Sequence, residues 1–233
     1  MNSLSAIVCA YNEEENIENI LLIISKINII NEIIVVNDGS KDHTESIIRS
    51  LKHRIDFKDI HFSENKGKGY ALAKGIENSN SEYLVFIDAD LKNLTQKHIF
   101  KLVNPVIKNR IDMVLGQATD TRINHNINPF KFFSGQRAVR KKDILPVLER
   151  IKPSRFGVET IINLHYKATN KTIKYINLFN LRHPTKFDKT NNSTAFREFM
   201  QEGHQILSTT FNNLDLVSRS IKNSFSSNFN IHI

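Results

Sequence analysis

Tyr83-Leu84-Val85-Phe86-Ile87-Asp88-Ala89-Asp90 is the stretch from which the fold can be read. A short apolar run rich in β-formers describes a strand, and it stops abruptly at two carboxylates separated by one small residue. Three similar runs, Ala6–Ala10, Ile33–Val36 and Met113–Leu115, each lead into a polar loop. Between them the apolar period changes from strand to helix. Ile17, Ile20, Leu21, Ile24 and Ile27 share one helical face, as do Ile99, Leu102, Val103, Val106 and Ile107 behind an N-cap at Thr95. Strands alternating with helices predict an α/β chain: a Rossmann-like, mainly parallel sheet with helices on both faces. Ligands of such sheets bind beyond the carboxyl ends of the strands, so the chemistry is expected in the loops after Ala10, Val36 and Ile87.

The second half is less regular. An aromatic, partly basic patch at Phe130–Phe133 is followed by helix signals over Lys142–Arg150 and Val158–Thr169. A strand is expected over Thr172–Leu178, and from about Asn192 an amphipathic helical tail that frays near its end. There is no internal repeat and no clear linker, which makes one domain over residues 1–190 with a tail over 191–233 the economical division.

Composition narrows the classes. The 233 residues are 40% hydrophobic and 24% charged, which allows a sizeable core and argues against wholesale disorder. The net charge of +8 suits nucleic acid, an anionic membrane or a phosphate-rich small ligand. No dense basic run supports nucleic acid. The single cysteine, Cys9, excludes an internal disulfide framework, fits a reducing cytosol and reads as a small core residue. The longest apolar stretch, Ile17–Ile30, is broken by Glu18, Asn19, Ser25, Lys26 and Asn28, so it cannot span a bilayer. Met1-Asn2-Ser3 lacks a basic start and leads into a strand-like run, so no signal peptide is expected there. His43, His61 and His165 have no evident partners and read as surface or packing residues.

Four segments carry chemistry. Asp88 and Asp90 offer oxygen ligands to a hard divalent cation, Mg²⁺ or Mn²⁺, unless they are simply a polar strand exit. In Asn37-Asp38-Gly39-Ser40 the Asp38 carboxylate is an acceptor for a base or ribose, although Asn-Asp-Gly is also an ordinary turn. The acids of Tyr11-Asn12-Glu13-Glu14-Glu15 suit the positive end of the following helix. Asn65-Lys66-Gly67-Lys68-Gly69 can offer amides and ammonium charge to phosphate, without the spacing of a P-loop or a dinucleotide fingerprint.

The order of these segments resembles the inverting family-2 glycosyltransferases, among them the polyprenyl-phosphate sugar synthases, which have the GT-A fold. The likeness is strong over residues 4–120, the donor-binding half, and looser to about 187. It implies that Ala10, Tyr11, Asn12, Glu13 and Asp38 hold the nucleoside, and that Gly67 and Lys68 lie on the nucleotide sugar. It implies further that Asp88, Ala89 and Asp90 bind the nucleotide and its metal. Ser134-Gly135-Gln136-Arg137 resembles the family's acceptor-side strand, with Gln136 and Arg137 facing the site; the plainer alternative is an edge strand with a solvated arginine. Phe156-Gly157-Val158-Glu159 resembles the segment that supplies an acceptor-side carboxylate, making Glu159 the candidate base. Leu181-Arg182-His183-Pro184-Thr185-Lys186 suggests His183 as a third metal ligand and Lys186 as a diphosphate clamp.

The expected partners are a UDP- or GDP-sugar donor and, from the basic surplus, the Phe patch and the tail, a lipid phosphate at the membrane surface. The alternative acceptor is a soluble or glycan hydroxyl, for which Glu159 would act as base. Such enzymes serve cell-envelope glycan synthesis. The expected location is cytoplasmic, peripheral at the membrane or held there by a membrane-protein partner or homo-oligomer. A sugar nucleotidyltransferase and a non-catalytic nucleotide-binding module are the rivals; the former normally has a glycine-rich opening loop, which Tyr11–Asn16 is not.

Overall fold

In the computed structural model the described residues are 3–119, 135–182 and 203–229. Seven strands form a single sheet: β1 (Leu4–Ala10), β2 (Glu32–Asn37), β3 (Lys58–His61), β4 (Tyr83–Asp88), β5 (Met113–Thr119), β6 (Arg137–Arg140) and β7 (Ile173–Phe179). Their order is β3-β2-β1-β4-β6-β5-β7. All neighbours are parallel except β6, which runs antiparallel to both β4 and β5. The chain winds outward from β1 through β2 to β3, then returns to place β4 beside β1. That reversal opens a crevice at the carboxyl ends of β1 and β4, where ligands of such sheets bind.

Alternate residues of the strands feed two cores. On one face Leu4, Ala6, Val8, Val85 and Ile87 pack against α1 (Ile17–Ile24), α2 (Thr44–Leu51) and α4 (Gln96–Ile107). On the other, Ile7, Ile34, Val36, Leu84 and Phe86 pack against α3 (Lys68–Asn78) and α7 (Val158–Ala168). The expected helical faces are the buried ones: Ile17, Ile20, Leu21 and Ile24 in α1, and Ile99, Leu102, Val103 and Val106 in α4. Thr95 does cap α4, its hydroxyl accepting from the His98 amide.

Two expectations are corrected. Lys142–Arg150 is not one helix: it breaks into α5 (Lys141–Ile144) and α6 (Leu148–Ile151) around a 3₁₀ turn at Leu145–Val147. Pro146 has no amide to continue the ladder, which is the physical reason for the break. The strand carrying Arg137 is not at the sheet edge. It lies between β4 and β5, and Arg137 is only 1% exposed.

Residues 203–211 are helical, and α8 (Leu214–Phe229) packs its Leu216 side into the α3–α7 core. Arg150 ties this end of the chain down, donating to Asn213 Oδ1 at 3.1 Å and pairing with Asp215 at 2.7 Å. No helix among the described residues is long and apolar enough to cross a membrane.

Candidate active site

Three loops meet at the crevice, and hydrogen bonds fix each to the next. The β1 loop holds the β2 loop: Asn12 N–H donates to Ser40 Oγ at 3.0 Å, Lys41 N–H to Asn12 Oδ1 at 2.8 Å, and Glu13 N–H to Thr44 Oγ1 at 2.8 Å. Asn12 is in the left-handed region at φ 55°, which asparagine tolerates better than most residues. Glu14 was expected to serve the start of α1; instead its carboxylate accepts from the His43 amide at 2.8 Å, at the mouth of α2. Ala10, buried at the end of β1, accepts from the Asp38 amide at 2.8 Å, while Tyr11 stands exposed above it.

Asp38 holds the third loop. Its two oxygens accept from the Lys66 amide at 2.8 Å and the Gly67 amide at 2.9 Å, and it is 3% exposed. Burial raises its pKa, against the pull of those two amides. Gly67 needs its missing side chain. It caps α3 at φ +94°, and a Cβ there would lie 2.7 Å from Arg155 Cγ. Arg155 is itself in an uncommon conformation, φ 48° with ψ −116°. The turn between Asp38 and Arg155 aims the first residue of α3, Lys68, across the crevice.

Lys68 Nζ lies 2.9 Å from Asp88 Oδ1 and 2.8 Å from Glu159 Oε1. Glu159 is in the first turn of α7, so one ammonium joins α3, the end of β4 and the start of α7. Burial pulls the lysine's pKa down, but the two carboxylates outweigh it and hold the ammonium above the ordinary lysine value. The other Asp88 oxygen accepts from Gln136 Nε2 at 2.6 Å. Arg137 follows on β6, buried, with Nη1 3.3 Å from Asn163 Oδ1 on α7. Burial lowers its pKa, and the charges of Glu159 and Asp88 oppose that shift.

Lys68, Asp88, Arg137 and Glu159 line one small cleft together with Ile7, Cys9, Leu72 and Phe86. Cys9 is thus a wall of the cleft as well as part of the core, and burial pushes its thiol up to about 12, which leaves it a poor nucleophile. Ala89 is buried and Asp90 half-buried beyond it.

His183 and Lys186 lie outside the described residues, as do Phe130–Phe133 and Ser134. The segment leading toward them does reach the carboxylate loop: Arg182 and Lys92 exchange backbone hydrogen bonds at 2.9 and 3.0 Å, two residues past Asp90. Among the described residues no group of three His, Cys, Asp or Glu side chains could hold a metal. The donor set still fits a hard cation: Asp88 and Asp90 offer carboxylate oxygens two residues apart, and Asp88 Oδ1 already faces positive charge, the Lys68 ammonium at 2.9 Å.

The sequence pattern gave no sign of Asn163 as the partner of Arg137, or of Arg155 against Gly67. Two histidines also have partners after all. His61 contacts Asn37 at 3.3 Å and Asp59 at 3.0 Å, and His165 Nε2 donates to Asp143 O at 2.9 Å.

The profile of the family described as Glycosyl transferase family 2 matches residues 5–198, most of the chain. The chain belongs to that family. It is similar to the poly-beta-1,6-N-acetyl-D-glucosamine synthase of Staphylococcus epidermidis, 36% identical over 91 residues. That match takes in 39% of this chain and 22% of the relative, so the chain spans only part of the curated proteins it matches. The enzyme of the same name from Staphylococcus aureus strain COL is 35% identical over 91 residues, 39% of this chain and 22% of that one. Crystal structures of Mycobacterium tuberculosis glucosyl-3-phosphoglycerate synthase share the architecture. The complex with Mn²⁺, UDP and glucosyl-3-phosphoglycerate has a TM-score of 0.70 at 20% identity, covering 94% of this chain and 80% of that one. The complex with Mg²⁺ and UDP also scores 0.70 at 20% identity, over 94% and 79%. The seven-stranded mixed sheet is therefore the family's GT-A fold.

Proposed function

We propose that the chain transfers a sugar from a UDP-sugar to an acceptor hydroxyl, with inversion, at the cleft between β4 and α7. The observation that carries this reading is the sharing of Lys68 by Asp88 and Glu159, which sets a donor-side carboxylate and an acceptor-side carboxylate in one cleft. UDP is favoured over GDP because UDP is the nucleotide named for the similar crystal structures.

Asp88 and Asp90 would hold Mg²⁺ or Mn²⁺, the ions named for those structures. A bound metal would neutralise charge developing on the departing diphosphate. Gln136 fixes the Asp88 carboxylate from the side opposite Lys68. Ala10, Tyr11, Asn12, Glu13 and Asp38 would frame the nucleoside, Asp38 by shaping the Lys66–Gly67 turn through its two amide bonds. His183 and Lys186 remain candidates for the third metal ligand and the diphosphate clamp. Arg137 adds buried positive charge beside both carboxylates. A sugar hydroxyl is a poor nucleophile at neutral pH, and Glu159 would take its proton. The similar synthases by name make a 1,6-linked polymer and a glucosylated phosphoglycerate, products that suit a hydroxyl acceptor in cell-envelope or related glycan synthesis.

A second reading, transfer to a lipid phosphate at the membrane surface, rests on a different observation. Leu207, Phe211, Leu214, Ile221 and Phe225 are all more than half exposed and follow helical spacing along 203–225. A phosphate acceptor is already largely anionic near neutral pH, so it needs no base. Glu159→Gln separates the two readings: transfer to a hydroxyl falls by about 100-fold or more, the lower end of what a general base supplies, whereas transfer to a lipid phosphate is nearly unchanged.

Thermal melting with Mn²⁺ plus UDP or GDP tests the donor site. Ligand at a hundred times its dissociation constant adds about 2.7 kcal/mol, enough for a clear shift. The expected result is a Mn²⁺-dependent shift with UDP that disappears in Asp90→Ala. No shift with either nucleotide would overturn the reading of this crevice as a nucleotide-sugar site.

A further inference from the structure

Lys68 sits where a cation is wanted. It is the first residue of α3, thrown across the cleft by a turn that Asp38 holds from one side and Arg155 crowds from the other. Its ammonium touches two carboxylates, Asp88 and Glu159, that lie 71 residues apart in the chain. Asp88 is thereby engaged at both oxygens, by Lys68 at one and Gln136 at the other. A divalent ion approaching Asp88 on the Lys68 side meets a like charge already in contact with its ligand. The lysine side chain is 28% exposed, so it has an open side toward which to move.

We propose that Lys68 is the resident counter-ion of this cleft: it holds Asp88 and Glu159 while no divalent ion is bound, and yields Asp88 when one arrives. Asp88 and Glu159 share their cleft with Lys68 and the buried Arg137, so their charge is already met, and a doubly charged ion gains Asp88 only as the ammonium leaves it. The displaced ammonium keeps Glu159 as a partner and can turn toward the donor diphosphate. Lys68 is a positioning residue in this scheme: it keeps two facing carboxylates from repelling each other and opening the cleft before substrate enters. The proposal rests on the reading of Asp88 and Asp90 as the metal site.

The test is Mn²⁺ binding without nucleotide, followed by electron paramagnetic resonance, on the wild type, Lys68→Gln, Lys68→Arg and Asp90→Ala. Removing a like charge a few ångströms from a divalent site is expected to tighten Mn²⁺ binding in Lys68→Gln by at least about tenfold. Lys68→Arg keeps the charge and should stay near the wild type. In EDTA, Lys68→Gln should melt below the wild type, and Mn²⁺ should raise its melting temperature by more than it raises the wild type's. Equal or weaker Mn²⁺ affinity in a folded Lys68→Gln would overturn the proposal and make Lys68 a fixed strut. Should that variant not fold, wild-type Lys68 is labelled with acetic anhydride and read by peptide mass spectrometry. Labelling that rises with Mn²⁺ supports displacement, and unchanged labelling overturns it. Failure of the parent reading is distinct: Mn²⁺ would bind neither wild type nor Lys68→Gln, or would bind Asp90→Ala as tightly as the wild type, and the counter-ion role would fall with it.

Discussion

At Gly135 the chain passes so close to the end of β4 that an added Cβ would lie 2.4 Å from Asp88 Oδ2 and 2.5 Å from Oδ1. Lys68 and Gln136 hold its two oxygens, so the carboxylate can move aside only by breaking one of those contacts. Gly135→Ala must therefore push Asp88 out of place or move the backbone leading into β6. Overpacking of this kind costs about 1–3 kcal/mol, which a folded domain usually survives. The expected outcome is a protein that melts cooperatively but no longer shows the Mn²⁺–UDP shift. A normal shift in Gly135→Ala would mean either that the backbone gives way before Asp88 does or that Asp88 is not needed there, and Asp88→Ala, which loses the shift only if the carboxylate is required, separates the two. None of this was legible in the residues themselves. Ser134-Gly135-Gln136-Arg137 stood out only through its resemblance to the family, and nothing local announces that its glycine faces a carboxylate 47 positions earlier.

Among the elements, α4 shows what local sequence can and cannot foretell. Thr95 reads as an N-cap because threonine before an apolar period is a helix start. Its reciprocal partner is less obvious. His98 stands where capping boxes usually have Glu or Gln, accepting at Nδ1 from the Thr95 amide at 3.2 Å, with Nε2 2.9 Å from Phe179 O. That pair of contacts requires the neutral ring with its proton on Nε2, an assignment made from the hydrogen-bond pattern. Burial, with Lys101 and Lys97 nearby, holds His98 below the ordinary histidine pKa. The unfolded chain therefore takes up a proton that the folded chain refuses. Stability from this source is present above the unfolded value of about 6.5 and is lost as pH falls below it. His98→Gln can close the same box without titrating, so urea unfolding should show a shallower loss between pH 7 and pH 5 than in the wild type. An unchanged slope would move the effect to His165, whose pKa burial also lowers. Strand and helix periods were legible because they are local. The insertion of antiparallel β6 between β4 and β5 was not, since register with strands from elsewhere in the chain leaves no period in Arg137–Arg140.

Across the whole molecule, the helical segments over 203–211 and α8 pack behind the elements that form the cleft. Leu216 is buried in the core shared by α3 and α7, and Thr209 lies so close to Gly157 that a Cβ there would meet its hydroxyl at 2.1 Å. Gly157 is two residues before Glu159, so the helical end of the chain backs the turn that presents the candidate base. An amphipathic tail was expected from the sequence, but its inner contacts join residues some fifty to sixty-five positions apart and carry no local signature. Two kinds of attachment compete to explain its docking. The Arg150–Asp215 pair is well formed at 2.7 Å, yet its side chains are 44% and 39% exposed, and exposed pairs contribute about 1 kcal/mol or less. Leu216 is 5% exposed, and truncating a buried leucine costs about 2–5 kcal/mol. Burial should win. Asp215→Ala is expected to leave the urea midpoint almost unchanged, whereas Leu216→Ala lowers it clearly and, by loosening the support behind Gly157, speeds hydrogen exchange at the start of α7. A larger loss from Asp215→Ala than from Leu216→Ala would show that charge, not burial, holds this end of the chain to the domain.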